Sequence, residues 1–474
     1  MKNAKVISIA FQVLIAVFFS QNTAFAKSYK SVYDSLIFQV KVADYLLTAD
    51  NLEGHIIWRE TPIVESLLNM YEKTRDVKYL DYGAKHVAAI MKKENLLAGR
   101  PDSDGVMRRG WQTGAHYTFS LKDTLYDENG SAFLEIQGIR RADNNFTTVE
   151  FRPTGDAGIT LVVKNDKNKY TKEYDDLTVD NVEGTINQKI GFDSYLVVRK
   201  LGKSIAQTPI TKRLVPQRVT LTTFHTPKIL SALIRFVVIV REAQLAEYQP
   251  LADELSDFAR EIVTSYDNLW NKKGYIINHP KLAYAFAGVE VPFNILADHG
   301  RCYLYMYLVT QDEKYLKRLD KISDFIFKSY REKDGKLIIP YAYGKFYSGW
   351  TNCDKYHYRN HSGSKHLEDN SHYTAQIMFI YDMMKYEYGY IDTFRDKVLT
   401  LLQQSLRQDG ISYYIDGSGD RTFNPAAGFY ILLTMFDPAL QQACERIVHN
   451  LALQDRAGTG ELLPISNVML MRGW

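Results

Sequence analysis

The sequence predicts a mainly α protein, an (α/α) toroid built of five to six helical hairpins with an inserted antiparallel β domain. Amphipathic helical patterns come in pairs that are joined by short turns. One turn motif, M-Y-x-x-T-x-D-x-K-Y-L, occurs twice, at 70–80 and at 306–316. Short glycine-led extended pieces follow the second helix of a hairpin at 273–277, 334–338 and 409–413. Hairpins that cannot bury an apolar stripe alone stack side by side, and such a stack can close into a ring.

Residues 1–26 have the pattern of a secretory signal peptide. Lys2 and Lys5 precede an apolar run at 6–19, and the sequence A-F-A at 24–26 supplies a small-residue cleavage site. The apolar run is short for a membrane span, so an N-terminal membrane anchor is the less favoured alternative. The mature protein is therefore expected to be periplasmic or secreted, with no integral membrane span.

The remaining chain divides into a first toroid part at 27–110, an inserted antiparallel β domain at 111–221 and a second toroid part at 222–474. In the β domain, alternating runs such as AFLEIQGI and ITLVVKN are separated by turn sequences such as DENG and NDKN. Because the long glycine-led loops all lie at one end of the hairpins, we expect them to gather at one rim of the ring. The helical patterns lie at about 28–50, 62–74, 76–93, 226–247, 249–271, 292–310, 312–330, 370–387, 391–408, 425–436 and 437–451.

The composition gives no sign of a highly charged binding surface. Removal of the signal peptide leaves 58 − 2 = 56 basic residues against 55 acidic residues, a balance of +1, so nucleic acid is not an expected partner. An anionic substrate would have to be met by local cations. The three cysteines, Cys302, Cys353 and Cys444, are far apart in the sequence and permit at most one disulfide.

The most unusual stretch of the sequence is 340–373, which contains six tyrosines, one tryptophan and four histidines among very few aliphatic residues. A segment of this length between two helical patterns is either disordered or functional, and its aromatic content argues against disorder. Aromatic rings with polar tips beside imidazoles and carboxylates suit a flat, hydroxylated ligand such as a sugar chain. We therefore expect this segment to form the wall of a binding cleft.

The sharpest local pattern in that segment is His366-x-Glu368-Asp369-x-x-His372. On a helix, either carboxylate would lie within one turn of His372, where it could fix the imidazole tautomer and raise its basicity. Alternatively, Asp369 or Asn370 only caps the following helix. A divalent metal held by His366, Asp369 and His372 is a third interpretation that the spacing does not favour, and no cofactor is predicted.

Other candidate residues lie where long loops return to the start of inner helices. Asn294 could donate to a substrate carboxylate or cap its helix. For Arg301, a structural salt bridge is favoured over a contact with the substrate. Trp111 and Trp350 lie in polar loops and are favoured for stacking on sugars. The full predicted rim set is Trp58, Arg59, Glu60, Arg108, Arg109, Trp111, His225, Tyr275, His279, Asn294, His299, Arg301, residues 341–372, Tyr413, Asp416 and Asn424.

The hairpin repeat, the secretion signal, the Tyr- and His-rich segment and the β domain together resemble the carbohydrate-active (α/α)-toroid enzymes, over nearly the whole mature chain. These enzymes include polysaccharide lyases, uronyl C5-epimerases and several glycoside hydrolases. The resemblance is architectural, so it assigns no catalytic residue by motif. It implies a polysaccharide or oligosaccharide substrate.

For a lyase or an epimerase, the resemblance implies that a base removes the C5 proton of a uronic acid while another group neutralises the uronate carboxylate. His372 or Tyr343 would be the base, and Asn294, Arg109 and His299 would be the neutralising groups. The predicted catalytic residues are His372, Tyr343, Asn294 and Glu368, and the predicted substrate-binding residues are Trp350, Trp111, Arg109, His299, Arg301, Tyr341 and Arg59.

An inverting glycoside hydrolase is the second hypothesis, and it requires two carboxyl groups about 6.5–9.5 Å apart. Glu368 or Asp369 opposite Glu60, Asp354 or Asp416 could supply them. The third hypothesis is a protein that binds glycans without catalysis, which needs no close approach of a carboxylate to an imidazole.

Overall fold

The structure, a computed structural model, is a mixed α/β protein, so the predicted mainly α class of an (α/α)5–6 toroid is wrong. Strands form seven sheets in the described part of the chain, and four of these sheets lie outside the β domain. The predicted signal peptide lies outside the described residues, as do Cys353 and Asp354. The described residues are 29–38, 47–114, 117–139, 141–155, 158–187, 196–284, 286–352, 359–389, 391–435, 437–452 and 459–471.

Most helices follow the predicted hairpin pattern, but the predicted helix at 425–436 is divided into short helical turns, and the helix at 462–471 was not predicted. Residues 29–37 are helical, and a π-helical turn at Ile56–Glu60 leads into the first long helix. None of the described helices is both long and apolar enough to cross a lipid bilayer. The long helices are α1 Thr61–Thr74, α2 Val77–Lys92, α3 Thr226–Glu242, α4 Gln249–Ser265, α5 Phe293–Thr310, α6 Glu313–Phe327, α7 Asn370–Lys385, α8 Ile391–Ser405, α9 Pro438–Ala452 and α10 Leu462–Met471, and short helices occur at Val182–Asn187, Gly344–Ser348 and Ala427–Tyr430.

Strands occur both in the β domain and between the helices. They are β1 Gln112–Thr113, β2 Asp123–Tyr126, β3 Ala132–Gly138, β4 Thr147–Thr154, β5 Gly158–Asn165, β6 Tyr170–Thr178, β7 Leu196–Lys200, β8 Ile210–Arg213, β9 Val219–Thr220, β10 Trp270–Asn271, β11 Tyr275–Ile276, β12 Arg331–Lys333, β13 Lys336–Ile338, β14 Trp350–Asn352, β15 Arg359–His361, β16 Leu406–Arg407 and β17 Gly410–Ile411.

The glycine-led returns of the hairpins explain part of the error in fold class. Each return forms a two-stranded antiparallel sheet, β10 with β11, β12 with β13 and β16 with β17. Gly274, Gly335 and Gly410 reverse the chain with positive φ, a conformation that side chains with a Cβ rarely adopt. The extended pieces are therefore paired strands rather than loops.

The repeated turn motif closes two helical hairpins with the same contacts. The Thr74 hydroxyl donates to a carbonyl one turn back, and Arg75 takes the left-handed conformation with φ of 57°. Asp76 then caps α2 by accepting the backbone N–H of Lys78. Residues 310–314 repeat these contacts between α5 and α6, so the sequence repeat is a repeat of capping chemistry.

The β domain contains two antiparallel sheets, in the orders β6-β5-β4-β8 and β2-β3-β7, around its own apolar core. Phe133 and Phe151 meet in that core with ring centroids 5.1 Å apart. The first and last strands of the domain, β1 and β9, pair with each other. This pairing brings the two ends of the insertion together and returns the chain directly to α3.

The helices share one large hydrophobic core that brings distant parts of the chain side by side. α5 packs against α3 and α7, and α1 packs against α3 and α10. The start of α5 also meets the start of α3, because His299 Nε2 donates to the carbonyl oxygen of Thr223 at 2.9 Å. Side chains at the first turns of α3, α5 and α7 can therefore contribute to one site.

α5 and α7 approach each other closely at Gly300, and we expect Gly300→Ala to destabilise the protein. A Cβ at Gly300 would lie 2.5 Å from the ring of Phe379. Overpacking of this kind costs about 1–3 kcal/mol, which exceeds the gain of about 1 kcal/mol in helix propensity. Chemical denaturation of Gly83→Ala is the matched control, because the nearest atom to a Cβ there is 3.8 Å away. Equal stabilisation by both substitutions would contradict the prediction.

Candidate active site

The predicted pattern of imidazole and carboxylate forms a hydrogen-bonded pair at the start of α7. Asp369 caps the helix, since its Oδ1 accepts the backbone N–H groups of Ser371 at 2.9 Å and His372 at 3.1 Å. Its Oδ2 accepts a hydrogen bond from Nδ1 of His372 at 2.7 Å. The capping interpretation and the tautomer-fixing interpretation both hold, because the two oxygens of one carboxylate divide the two roles.

Electrostatics keep Asp369 ionised beneath an accessible imidazole. Burial would raise the pKa of Asp369, but the hydrogen bonds and charge of His372, together with the Ser371 hydroxyl, lower that pKa to about 2. The His372 side chain is 40 % exposed, and its Nε2 has no hydrogen-bond partner among the described residues. In the neutral ring, the proton on Nδ1 faces Asp369, so Nε2 is the nitrogen with the lone pair.

Tyr341 lies between two imidazoles and ties the aromatic segment to the neighbouring helices. Its ring centroid is 4.7 Å from that of His366, in a stacked arrangement, and 5.0 Å from that of His372. Its backbone N–H donates to the carbonyl oxygen of His366 at 3.2 Å, and its own carbonyl accepts the N–H of Phe293 at 3.3 Å. Tyr341 is thus held between the first turn of α5 and the approach to α7.

Glu368 is buried next to the Asp369 and His372 pair and is not accessible to a substrate, so its predicted catalytic role is wrong. The residue is fully buried, and Oε2 accepts a hydrogen bond from the amide of Gln376 at 3.0 Å. Burial and the adjacent charge of Asp369 raise the pKa of Glu368 well above its ordinary value. Its backbone N–H and C=O bind Ile339 and Ile415, which fix the loop before α7.

Glu368, Asp369 and His372 are the residues of this site that could hold a metal ion. One ligand atom from each lies within 4.8 Å of the others. Among the described residues, these three form the group of His, Cys, Asp or Glu side chains that is close enough to share a metal ion. His366, which the sequence-based metal hypothesis included, is not part of the group. Both oxygens of Asp369 already accept hydrogen bonds from protein donors, which favours its capping and orienting role over coordination.

Asn294 lies in the first turn of α5, directly after the residue that binds Tyr341. The helix is capped at Pro292, so the interpretation of Asn294 as a cap is wrong. Asn294 is 5 % exposed, and its Oδ1 is buried without a hydrogen-bond partner among the described residues. A buried amide oxygen that lacks a partner is costly, so a ligand that satisfies this amide would be favoured.

Two predicted site residues of the aromatic segment lie behind the site. The Tyr343 ring packs against Phe293 and Phe325 with centroids 4.7 Å apart in both cases, and burial raises its pKa well above the ordinary value. A phenol that is enclosed and hard to ionise does not suit the predicted role of base. Trp350 is 6 % exposed and packs against Phe286, so it does not offer a face for a sugar.

Trp111 and Arg109 are engaged with the protein; the burial of Trp111 contradicts its predicted stacking on a sugar, whereas a substrate contact of Arg109 stays a prediction. Trp111 is 1 % exposed, and its indole N–H donates to the carbonyl oxygen of Ile90 at 2.8 Å. Arg109 forms ion pairs with Glu94 at 3.5 Å and Glu261 at 3.2 Å. Both side chains join the start of the β domain to α2 and α4.

His299 and Arg301 are buried inside the helical core, so their predicted substrate contacts are also wrong. Burial lowers the pKa of His299 to about 3, which keeps the ring neutral while it holds Thr223. Arg301 donates to Glu65 at 2.7 Å and to Asp382 at 2.6 Å. The prediction of Arg301 as a structural salt-bridge partner is confirmed.

The carboxylates proposed for a hydrolase do not form an open pair in the described residues. Glu60 is buried beside His86 and Lys93, 3.6 and 3.4 Å away. Asp416 accepts hydrogen bonds from the N–H and hydroxyl of Ser418. The third candidate, Asp354, lies outside the described residues.

Arg59, Trp58 and two residues that the sequence analysis missed lie at the neighbouring helix starts. Arg59 is exposed and forms no ion pair in the part of the chain that the structure describes. Lys228 follows a proline at the start of α3, a signal of a helix N-terminus that could have placed it on the rim. Asp298 lies one turn after Asn294; burial raises its pKa to about 6, and the charge of Lys228 opposes that rise.

Asp369→Asn is expected to remove a stabilising effect that depends on pH. The folded-state pKa of about 2 lies below the ordinary value of 3.8, so the stabilisation is present above about pH 4 and is lost as the pH falls towards about 2. Asn retains the cap, and the variant should be less stable by about 2 kcal/mol at neutral pH. Denaturation at a series of pH values measures the difference. A difference that stays constant down to about pH 2 would contradict the linkage.

No protein-family model matches this sequence, and no curated protein matches it at a significant level.

Proposed function

We propose that this protein acts on a uronic-acid-containing polysaccharide and that His372 abstracts the C5 proton of a uronic acid residue. The observation that carries the proposal is the accessible imidazole of His372, whose Nδ1 is bound to the ionised carboxylate of Asp369 at 2.7 Å. A carboxylate in this position orients the ring and stabilises the imidazolium that forms when Nε2 takes a proton. The protein would be secreted or periplasmic.

The side chains around His372 suit the other steps of this chemistry. The Nδ2 group of Asn294 would donate to the uronate carboxylate, which lowers the cost of charge that develops there when C5 loses its proton, and its buried Oδ1, unpartnered among the described residues, would accept from a sugar hydroxyl. Tyr341, whose ring lies 5.0 Å from that of His372, would donate a proton to the departing oxygen. The buried Glu368 maintains the loop that carries Asp369 through its backbone hydrogen bonds, and burial raises its pKa, which disfavours a second negative charge at the site.

The reaction balances as a β-elimination. His372 Nε2 takes the C5 proton, the electron pair of that C–H bond forms the C4–C5 double bond, and the C4–O bond breaks. The departing oxygen takes the proton of the Tyr341 hydroxyl, and solvent exchange then restores both groups. An epimerase would share the first step, and a proton would return to C5 from the opposite face.

Incubation in deuterated water with alginate, pectin and glycosaminoglycans tests the proposal. A new ultraviolet absorbance from an unsaturated uronate indicates elimination, and deuterium at C5 without chain cleavage indicates epimerisation. New reducing ends without a double bond would indicate hydrolysis and would overturn the proposed chemistry. Failure of every polymer and its oligomers to react or exchange would overturn it as well.

A further inference from the structure

Trp58 is an exposed aromatic ring that the surrounding residues hold in one orientation. It is 42 % exposed, although it is one of the largest apolar side chains of the protein. Its indole N–H donates to the hydroxyl of Tyr117. Gly54 lies against its edge, where a Cβ would be only 2.8 Å from Cδ1 of the ring. An exposed ring that is already immobilised loses little conformational entropy when a ligand covers it.

A cation lies beside this ring, and it forms no ion pair with the buried Asp298, the carboxyl group whose pKa its charge lowers. Lys228 Nζ lies 4.7 Å from the centroid of the Trp58 ring, within the range of a cation–π contact. Lys228 forms no ion pair with any residue that the structure describes, and the neighbouring Arg59 is exposed and equally unpaired there. A ligand carboxylate would therefore meet two cations that need not break an existing ion pair to bind it.

Of the Trp58 and Lys228 pair, Lys228 lies in the first turn of α3, and the segment just before α3 contacts α5 where His299 donates to Thr223. α5 connects this pair to the proposed active site. The backbone N–H of Phe293 at its start donates to Tyr341, and the charge of Lys228 lowers the pKa of Asp298 in its second turn.

We infer that Trp58 and Lys228 form a second sugar subsite that binds an acidic residue of the polymer next to the one that reacts. The inference rests on the proposed function. It adds that the substrate carries a negative charge on the sugar residue next to the one that reacts. The apolar face of the pyranose ring would lie on the indole, and the carboxylate would pair with Lys228 and Arg59. Trp58 takes the place that the sequence analysis gave to Trp111.

Direct binding tests the subsite in a protein that cannot turn over its ligand. In the full-length His372→Gln variant, titration with tetragalacturonate and tetramannuronate should give a dissociation constant that rises about tenfold on adding Trp58→Ala or Lys228→Gln. Lys228→Arg should recover most of the affinity, because it restores the charge. Thermal unfolding checks that each variant folds, which the exposure of Trp58 and the half-buried position of Lys228 favour.

Oligosaccharides with and without carboxylates separate the contribution of the Lys228 charge to binding from that of the Trp58 ring. With the same oligosaccharides reduced to alcohols at the carboxyl groups, Trp58→Ala should still weaken binding, whereas Lys228→Gln should change it less than twofold. Lys397→Gln, which removes a cation lying 5.2 Å from the Phe327 ring, should change neither titration. Unaltered binding in the Trp58 and Lys228 variants, or no binding of any uronate oligomer to the parent, overturns the inference.

The subsite and the proposed function fail in different ways. If the oligomers bind through Trp58 and Lys228 but show no C5 exchange or cleavage with the wild-type protein, the chemistry is wrong and the subsite stands. If turnover occurs and kcat/KM for tetramers is the same in Trp58→Ala, the chemistry stands and the subsite is wrong.

Discussion

His372→Gln is expected to reduce turnover of a uronate polymer by about a thousandfold, which is typical of the loss of a positioned general base. Glutamine retains a polar side chain at the start of α7 but offers no basic nitrogen to the C5 proton. Because His372 is 40 % exposed and its partner Asp369 still caps the helix through Oδ1, the free energy of unfolding should change by less than about 1 kcal/mol. Deuterium exchange at C5 and chemical denaturation measure the two quantities.

His366→Gln is the control for this prediction. His366 is also an imidazole stacked on Tyr341, but it is exposed, and its Nδ1 donates to a backbone carbonyl instead of to a carboxylate. Its replacement should leave most of the turnover in place. Equal losses in the two variants would indicate that the aromatic wall, and not the basicity of His372, supports the reaction. A large loss of stability in His372→Gln would show a structural role.

Contacts between near neighbours in the sequence were predictable. The turn at 74–78 and the cap at Asp369 depend on residues within a few positions, and their side-chain types favour those local hydrogen bonds. The two- and three-residue strands at the hairpin returns carry too few residues to show an alternating pattern, so sequence periodicity does not distinguish them from loops. The mainly α prediction was wrong for that reason.

Exposure depended on partners that lie far away in the sequence. Trp111 follows polar residues and was predicted to stack on a sugar, yet Ile90 of α2 and Phe258 of α4 cover it. Trp58 directly follows Ile56 and Ile57 and nevertheless remains 42 % exposed. A polar flanking sequence therefore does not predict whether a ring is free, because long-range helix packing decides which rings are covered.

Arg301 illustrates the same point, and its replacement is expected to have the largest effect on stability. Its partners Glu65 and Asp382 are 236 and 81 residues away in the sequence. All three side chains are almost fully buried, and they join α5 to α1 and α7. Arg301→Met leaves two buried carboxylates without their cation, so the free energy of unfolding should fall by about 3–5 kcal/mol.

Chemical denaturation of Arg301→Met beside Arg260→Met measures this effect against an exposed pair. Arg260 lies 3.1 Å from Asp257, with both side chains more than half exposed, and its replacement should cost less than about 1 kcal/mol. Adding Glu65→Gln and Asp382→Asn to Arg301→Met should recover part of the loss, because the unpaired charges are then removed as well. Equal effects of the two single substitutions would mean that the buried ion pairs do not hold α1, α5 and α7 together. In that case the positions of Asn294 and His372 would depend on apolar packing between these helices.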